Sequence, residues 1–168
     1  MSIAENVARI RAEMEKAALA CGRDPKSIQL CAATKMNDAD TIRRAIRAGI
    51  HACGENRVQE MMDKLEQGAY EGAPLHFIGS LQKNKVKFVV GNCDLIHSVN
   101  SVSLLEAINK RAAALGIVQD VLLEVNIARE ESKTGFEYKA ERIFDKYDLT
   151  IGSEKIKASQ ELCGVISE

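Results

Sequence analysis

Several features are scarce or missing in this 168-residue chain, and each absence removes a class of function. Net charge is nearly nil: 23 basic residues meet 24 acidic ones for a formal charge of -1, so no overall field draws the chain to nucleic acid or anionic lipid. Long apolar runs are missing too. Hydrophobic residues make up 46% of the chain, yet its apolar stretches fall far short of a bilayer span. The five cysteines, at 21, 31, 53, 93 and 163, include no C-x-x-C pair and no histidine at ligand spacing, which argues against a zinc site and reads as reduced, buried thiols. No G-x-G-x-x-G or Walker-type loop occurs, which disfavours nucleotide binding. The opening Met1-Ser2-Ile3-Ala4-Glu5 lacks the apolar core and small-residue cleavage site of a secretory signal. Together with reduced thiols this gives the expectation of a cytoplasmic protein.

What is present is an alternation of short apolar runs and amphipathic stretches, over a length suited to one domain that needs no disulfide staples. Ser2 and Glu5 have capping-box spacing and open a helix carrying Ile3, Val7, Ile10 and Met14, with a stop at Gly22. Ile28 to Thr34 reads as a strand, with Lys35 at its end. Asp38 caps a second helix with Ile42, Ala45 and Ile46 inside, ended by Gly49. Ile50 to Cys53 reads as the second strand, and Asn56 with Gln59 as a capping box ahead of Val58, Met61, Met62 and Leu65. Leu75 to Gly79, Leu95 to Val99 and Val121 to Asn126 continue the strands. Between them stand a short basic helix over 80–90 and a helix from Ser101 to Gly116.

Helices between short apolar strands are crossovers that join parallel neighbours, so the fold class is α/β with a parallel sheet. Periodicity leaves open whether that sheet is doubly wound or closes into a barrel. After Asn126, Glu137 to Tyr147 reads as a helix, Leu149 to Gly152 as a stub strand and Glu154 to Leu162 as a weak helix.

In parallel α/β sheets, function gathers beyond the carboxyl ends of the strands. The polar residues there are Lys35, Glu55 and Asn56, Ser80 and Gln82, Ser98 and Asn100, and Asn126. Lys35 is the sharpest candidate. A partly desolvated lysine at a strand end is a nucleophilic amine suited to Schiff-base chemistry, whereas a snorkelling lysine with its head in water is the alternative. Other features have ordinary readings. His76 and His97, within apolar strands, read as half-buried core residues. Lys83, Lys85 and Lys87 lack the interleaved aromatics of a base-stacking surface and read as a solvated face or a local anion patch.

Five segments in order carry a resemblance: Ala32-Ala33-Thr34-Lys35, Gly54-Glu55-Asn56-Arg57-Val58-Gln59-Glu60, His76-Phe77-Ile78-Gly79-Ser80-Leu81-Gln82-Lys83-Asn84-Lys85, His97-Ser98-Val99 and Lys133-Thr134-Gly135-Phe136. They resemble the pyridoxal phosphate homeostasis protein family, similar in fold to the N-terminal barrel of alanine racemase, over residues 1–136. The resemblance implies a TIM-type (β/α) barrel and pyridoxal 5'-phosphate held as a Schiff base on Lys35. It implies Asn56 near the cofactor ring, and His76, Ser80 and Ser98 lining the same mouth. It further implies a role in intracellular vitamin B6 cofactor homeostasis rather than turnover. The alternatives are a racemase-like pyridoxal-phosphate enzyme, or a barrel remnant that no longer holds the cofactor.

Residues 137–168 do not match the later family segments, so they are expected to form a divergent tail. The barrel is accordingly expected to be truncated to about five or six strands of eight. The partner expected is the small-molecule cofactor, not nucleic acid or membrane. The complete family fold implies a monomer, and exposed strand edges would favour association.

Overall fold

The computed structural model describes residues 1–128, 134–137, 150–151 and 154–155. Helix α1 spans Ile3–Ala20 and opens as its spacing predicts: Ser2 Oγ accepts from Glu5 N while the Glu5 carboxylate accepts from Ser2 N. After a 3-10 turn at Pro25–Ser27, the chain alternates strand and helix. The order is β1 (Cys31–Ala33), α2 (Ala39–Arg47), β2 (Ala52–Glu55), α3 (Val58–Glu66), β3 (Leu75–Phe77), α4 (Val86–Val89), β4 (Leu95–Val99), α5 (Val102–Leu115) and β5 (Asp120–Leu123). Asp38 caps α2 by accepting from Thr41 N at 2.7 Å, and Gly116 closes α5 in the left-handed region.

The five strands form one parallel sheet in the order β1-β2-β3-β4-β5. Every step moves one strand in the same direction, so right-handed crossovers stack all the helices on one face. That winding is the wall of a (β/α) barrel, since a doubly wound sheet would reverse direction partway. Among the described residues the wall does not close, and β1 and β5 are its two edges.

Side chains alternate across a strand, so the register sorts them into two faces. Ala32, Cys53, Leu75, Phe77, Ile96, Val121 and Leu123 point to the helices and pack with Ile42, Met61, Val86, Val89, Leu105 and Ile108 in one core. Cys31, Ala33, Gly54, His76, Leu95, His97 and Leu122 occupy the opposite face, the barrel's inner side. Ala33 and Leu122 are exposed there, with Leu122 at 48%. A bulge between Ile96 and Val99 shifts the β4 register, so that Val99 joins the helix-side core.

Several elements differ from the sequence-based expectation. The second strand runs Ala52–Glu55, later than 50–53, because it pairs with Cys31–Ala33 through Gly54 and with Phe77 at Glu55; Glu55 therefore belongs to the strand and not to the loop. The first strand is shorter than 28–34, since Leu30 N is used by the His51 ring at 2.8 Å. The basic helix over 80–90 is a 3-10 turn (Lys83–Lys85) followed by the single turn α4. The fifth strand divides at Glu124, whose N–H bonds Val99 O at 2.9 Å while its carbonyl accepts from Phe136 N at 2.8 Å. Beyond that change of partner, β6 (Val125–Asn126) pairs in parallel with β7 (Phe136–Glu137).

Of the expected helix over 137–147, Glu137 is a strand residue and the rest lies outside the described residues. Strands β8 (Thr150–Ile151) and β9 (Glu154–Lys155) pair antiparallel, the first within the expected stub strand and the second where a helix was expected to begin. Cys21, expected to be buried, is exposed at the end of α1; Cys53 and Cys93 are buried.

Candidate functional site

The residues that leave the carboxyl ends of β1, β2 and β3 converge on one mouth. Thr34 extends β1 by one backbone hydrogen bond, Thr34 N to Gly54 O at 2.9 Å. Its side chain turns toward the helices and is buried at 4% exposure, so by alternation Lys35 falls on the inner side of the wall. Lys35 is exposed and, among the described residues, has no ion-pair partner. Of the two readings the sequence leaves open, the described residues match the lysine with its head in water, because it is Thr34 that enters the core.

Asn56 follows β2. The expected capping box does not form: Arg57 occupies the cap position of α3 without a side-chain hydrogen bond, and Gln59 Nε2 instead donates to Asp63 Oδ1 at 2.8 Å. The Asn56 side chain is thereby released from helix capping, and its Oδ1 is buried with no hydrogen-bond partner among the described residues. The carbonyl side of Asn56 lies against Gly79, the second residue after β3, with no room between them for a side chain on residue 79.

Behind this mouth, on the helix side, sits a compact charged cluster. The Lys64 ammonium on α3 donates to Thr34 O at 2.8 Å, to Glu55 Oε1 at 2.7 Å and to Glu60 Oε1 at 2.7 Å, which uses all three of its hydrogens. Thr34 Oγ1 donates to Glu55 Oε1 at 2.7 Å, and Glu60 Oε1 also accepts from Met36 N. Burial opposes the charge on Lys64, but its hydrogen bonds to the Glu55 and Glu60 carboxylates outweigh it and raise its pKa. The Lys64 hydrogen bond holds the Glu60 carboxyl below its ordinary value. Glu55 is fully buried, and its Oε2 has no hydrogen-bond partner among the described residues. Tyr70 is buried nearby, its phenol pKa pushed up first by burial and then by the Glu55 carboxylate.

Of the other predicted site residues, His76 lies within β3, not at its end, and its Nδ1 shares a hydrogen bond with His97 Nε2 at 3.1 Å. Burial lowers the pKa of both rings. Ser80 is exposed just past β3. Ser98 is buried, and its Oγ donates to the carbonyl of Gly79, so it supports the mouth from behind. The structure thus brings Lys35, Asn56 and the Gly79–Ser80 turn to one rim, places His76 deeper on the same inner face, and turns Ser98 away. The Lys83–Lys85 turn is exposed, and Lys87 Nζ stands over the Phe88 ring at 4.8 Å.

Sequence reasoning did not single out Lys64, Glu60 or Thr34. A signal was available: Glu60 and Lys64 have the i, i+4 spacing of a helical ion pair. The burial of that pair against a strand-end carboxylate was not legible in spacing alone.

A family model described as alanine racemase, N-terminal domain, matches residues 2–149. The chain is similar to a pyridoxal phosphate homeostasis protein of Aquifex aeolicus, 38% identical over 156 residues, covering 93% of this chain and 68% of the relative. Among solved structures, it is similar to one described as an unknown protein from Bifidobacterium adolescentis, at 41% identity and TM-score 0.74, covering 80% of this chain and 59% of the other. It is also similar to PipY of Synechococcus elongatus PCC7942, solved with PLP bound, at 33% identity and TM-score 0.66, covering 81% and 58%. The chain therefore spans under two thirds of the length of both solved proteins.

Proposed function

Since the chain belongs to the alanine racemase N-terminal domain family and, within it, to the pyridoxal phosphate homeostasis proteins, we propose that it holds pyridoxal 5'-phosphate as a Schiff base on Lys35 and serves the intracellular balance of that cofactor. The observation that carries this reading is the setting of Lys35: an exposed amine just past the end of β1, on the inner side of the wall, with no ion-pair partner among the described residues.

The residues present suit the group. When bound, the cofactor supplies an aldehyde that condenses with an amine, releasing water, and a ring that withdraws electrons. Lys35 brings the amine. Asn56 brings an amide whose buried oxygen has no partner among the described residues, the kind of orphaned acceptor a ligand donor would satisfy. His76 lies on the same inner face, and Ser80 stands on the rim. Ser98 acts one step removed, by fixing the Gly79 carbonyl.

Holding rather than turnover is favoured by the surroundings of Tyr70, the one tyrosine among the described residues. Racemisation requires a second acid or base on the far side of the substrate carbon. Tyr70 is buried on the helix side with its phenol pKa raised, so it does not serve there. On this reading the partner is the small-molecule cofactor, and neither nucleic acid nor membrane is engaged. The cytoplasm is the compartment, in keeping with free thiols at Cys21, Cys31, Cys53 and Cys93. The proposed domain is residues 1–136 and the proposed tail 137–168, with Glu137 completing strand β7.

The test is spectroscopic. The purified chain mixed with pyridoxal 5'-phosphate is expected to develop a visible band that borohydride bleaches, leaving the reduced cofactor on the Lys35 peptide. Lys35→Ala is expected to abolish both signals, and a band that survives the substitution overturns the assignment. Incubation with a panel of amino acids in deuterated water is expected to show no α-proton exchange beyond that given by free cofactor.

A further inference from the structure

The charged cluster behind the mouth has no place in the chemistry just described, yet it touches the backbone on both sides of Lys35. The Lys64 ammonium holds the carbonyl of Thr34, and the Glu60 carboxylate holds the N–H of Met36. Lys35 is the residue between. The grip is needed because Met36 adopts φ 61, a left-handed conformation that a methionine rarely takes unless its surroundings enforce it. Met36 is 89% exposed, so side-chain packing does not supply that enforcement. Asn37 closes the same turn, its N–H donating to Thr34 O at 3.2 Å, the carbonyl Lys64 also holds, and its Nδ2 to Lys35 O at 3.0 Å.

The cluster's cost argues the same way. A buried ion pair recovers little net stability, because desolvation offsets the attraction, and apolar replacements are often neutral or better. Stability alone therefore gives little reason to keep Lys64 and Glu55 at 6% and 0% exposure. Geometry does give one. Three fixed donors on one ammonium tie the end of β1 to β2 and α3, and Glu60 relays the same charge to the turn.

We propose that Lys64, with Glu55 and Glu60, is a positioning group that sets the Thr34–Lys35–Met36 backbone and so aims the Lys35 amine into the mouth. This rests on the reading of Lys35 as the cofactor-bearing residue.

Two measurements on the full chain test it. Without cofactor, hydrogen exchange followed by mass spectrometry is read on peptides covering 33–38. With pyridoxal 5'-phosphate, the rate of borohydride-trappable attachment to Lys35 is read. In Lys64→Met, exchange of the Met36 amide is expected to rise at least about tenfold and attachment to slow by a similar factor, with the far-ultraviolet spectrum unchanged. Glu60→Gln is expected to accelerate Met36 exchange while sparing the Thr34 side. Ile108→Val, a core change in α5 remote from the mouth, is expected to lower stability without moving either signal. This separates positioning from general loosening.

Unchanged Met36 exchange and unchanged attachment in folded Lys64→Met overturn the proposal. If Lys64→Met does not fold, Glu60→Gln decides alone, and unchanged Met36 exchange there overturns it. Failure of the underlying reading is distinct: wild-type protein would then attach no cofactor at Lys35, while the exchange measurement would still report on the grip.

Discussion

A Cβ on residue 79 would stand 2.6 Å from the Cα of Asn56 and closer still to its carbonyl oxygen, so the exits of β2 and β3 meet backbone to backbone at this point. Only glycine permits that approach. Gly79→Ala must push the two exits apart, because neither side is a flexible side-chain end that can swing away. The expected loss is about 1–3 kcal/mol of unfolding free energy, as for other overpacked sites. Gly54→Ala meets Ile78 Cδ1 at 2.8 Å and Cys31 Sγ at 3.2 Å, both of them side-chain atoms, and is expected to cost less. Urea midpoints of the two variants check the order, and a Gly54→Ala variant less stable than Gly79→Ala contradicts it.

Ser98 and Ser80 separate support from contact at the same turn. Ser98 is buried and donates to the Gly79 carbonyl, so Ser98→Ala leaves that carbonyl without its partner, at an expected cost of about 1–3 kcal/mol. Ser80 is exposed, and Ser80→Ala is expected to fall within about 0.5 kcal/mol of wild type. Thermal and urea unfolding measure both. Equal losses at the two positions would show that burial of Ser98 is not what matters.

The histidine pair and the Glu60 carboxyl give stability two separate acid limbs. Burial lowers the pKa of His76, against the opposing pull of Asp94, and burial together with His76 lowers that of His97, both from 6.5. The folded state then binds fewer protons than the unfolded one, so stability is full above about pH 6.5 and declines as pH falls through the folded values. Glu60 is held below its ordinary 4.5 chiefly by Lys64, so its contribution is full above that value and fades only at lower pH. His97→Gln is expected to flatten the first limb and leave the second, whereas Glu60→Gln leaves the first and reduces the second to the share of Asp38, whose carboxyl the Thr41 hydrogen bond also holds below its ordinary value. Urea midpoints between about pH 7 and 3 show the outcome; an unchanged first limb in both His97→Gln and His76→Gln removes the histidines as its source.

Much of the wall was legible in spacing. Ser2 with Glu5, Asp38 and Gly116 mark helix ends where they were expected, and Leu95–Val99 is a strand over the predicted residues. The sense of winding was not legible, since alternating strands and helices fit a barrel and a doubly wound sheet equally; it follows from strand order. The site was legible in part. Lys35 and Asn56 were recognised as strand-end residues, but Asn56 was read as a helix cap, because capping-box spacing does not reveal that Gln59 prefers Asp63. Lys64 was missed because burial of a lysine is a tertiary fact: Glu55 lies nine positions earlier in the chain and on another element. Thr34 was read only as a strand residue, since nothing in its neighbours shows that its carbonyl faces an ammonium.

Thiol reactivity should follow the faces of the wall. Cys53 is buried on the helix side, and burial, joined by the Cys31 and Glu55 charges, pushes its pKa up to about 11. Burial pushes Cys93 up to about 12, whereas Cys21 is exposed at the end of α1. Cys31 is half-buried on the inner face, with its pKa also raised by burial. The thiolate is the reacting species, so at neutral pH iodoacetamide is expected to label Cys21 first, Cys31 more slowly, and Cys53 and Cys93 only once urea opens the fold. Peptide mapping after timed labelling reads each cysteine separately. Because Cys31 shares the inner face with Lys35, its labelling also reports on access to the mouth, and pyridoxal 5'-phosphate is expected to slow it without altering Cys21. Labelling of Cys53 as fast as Cys21 in the folded chain would contradict the two-faced wall from which the site was derived.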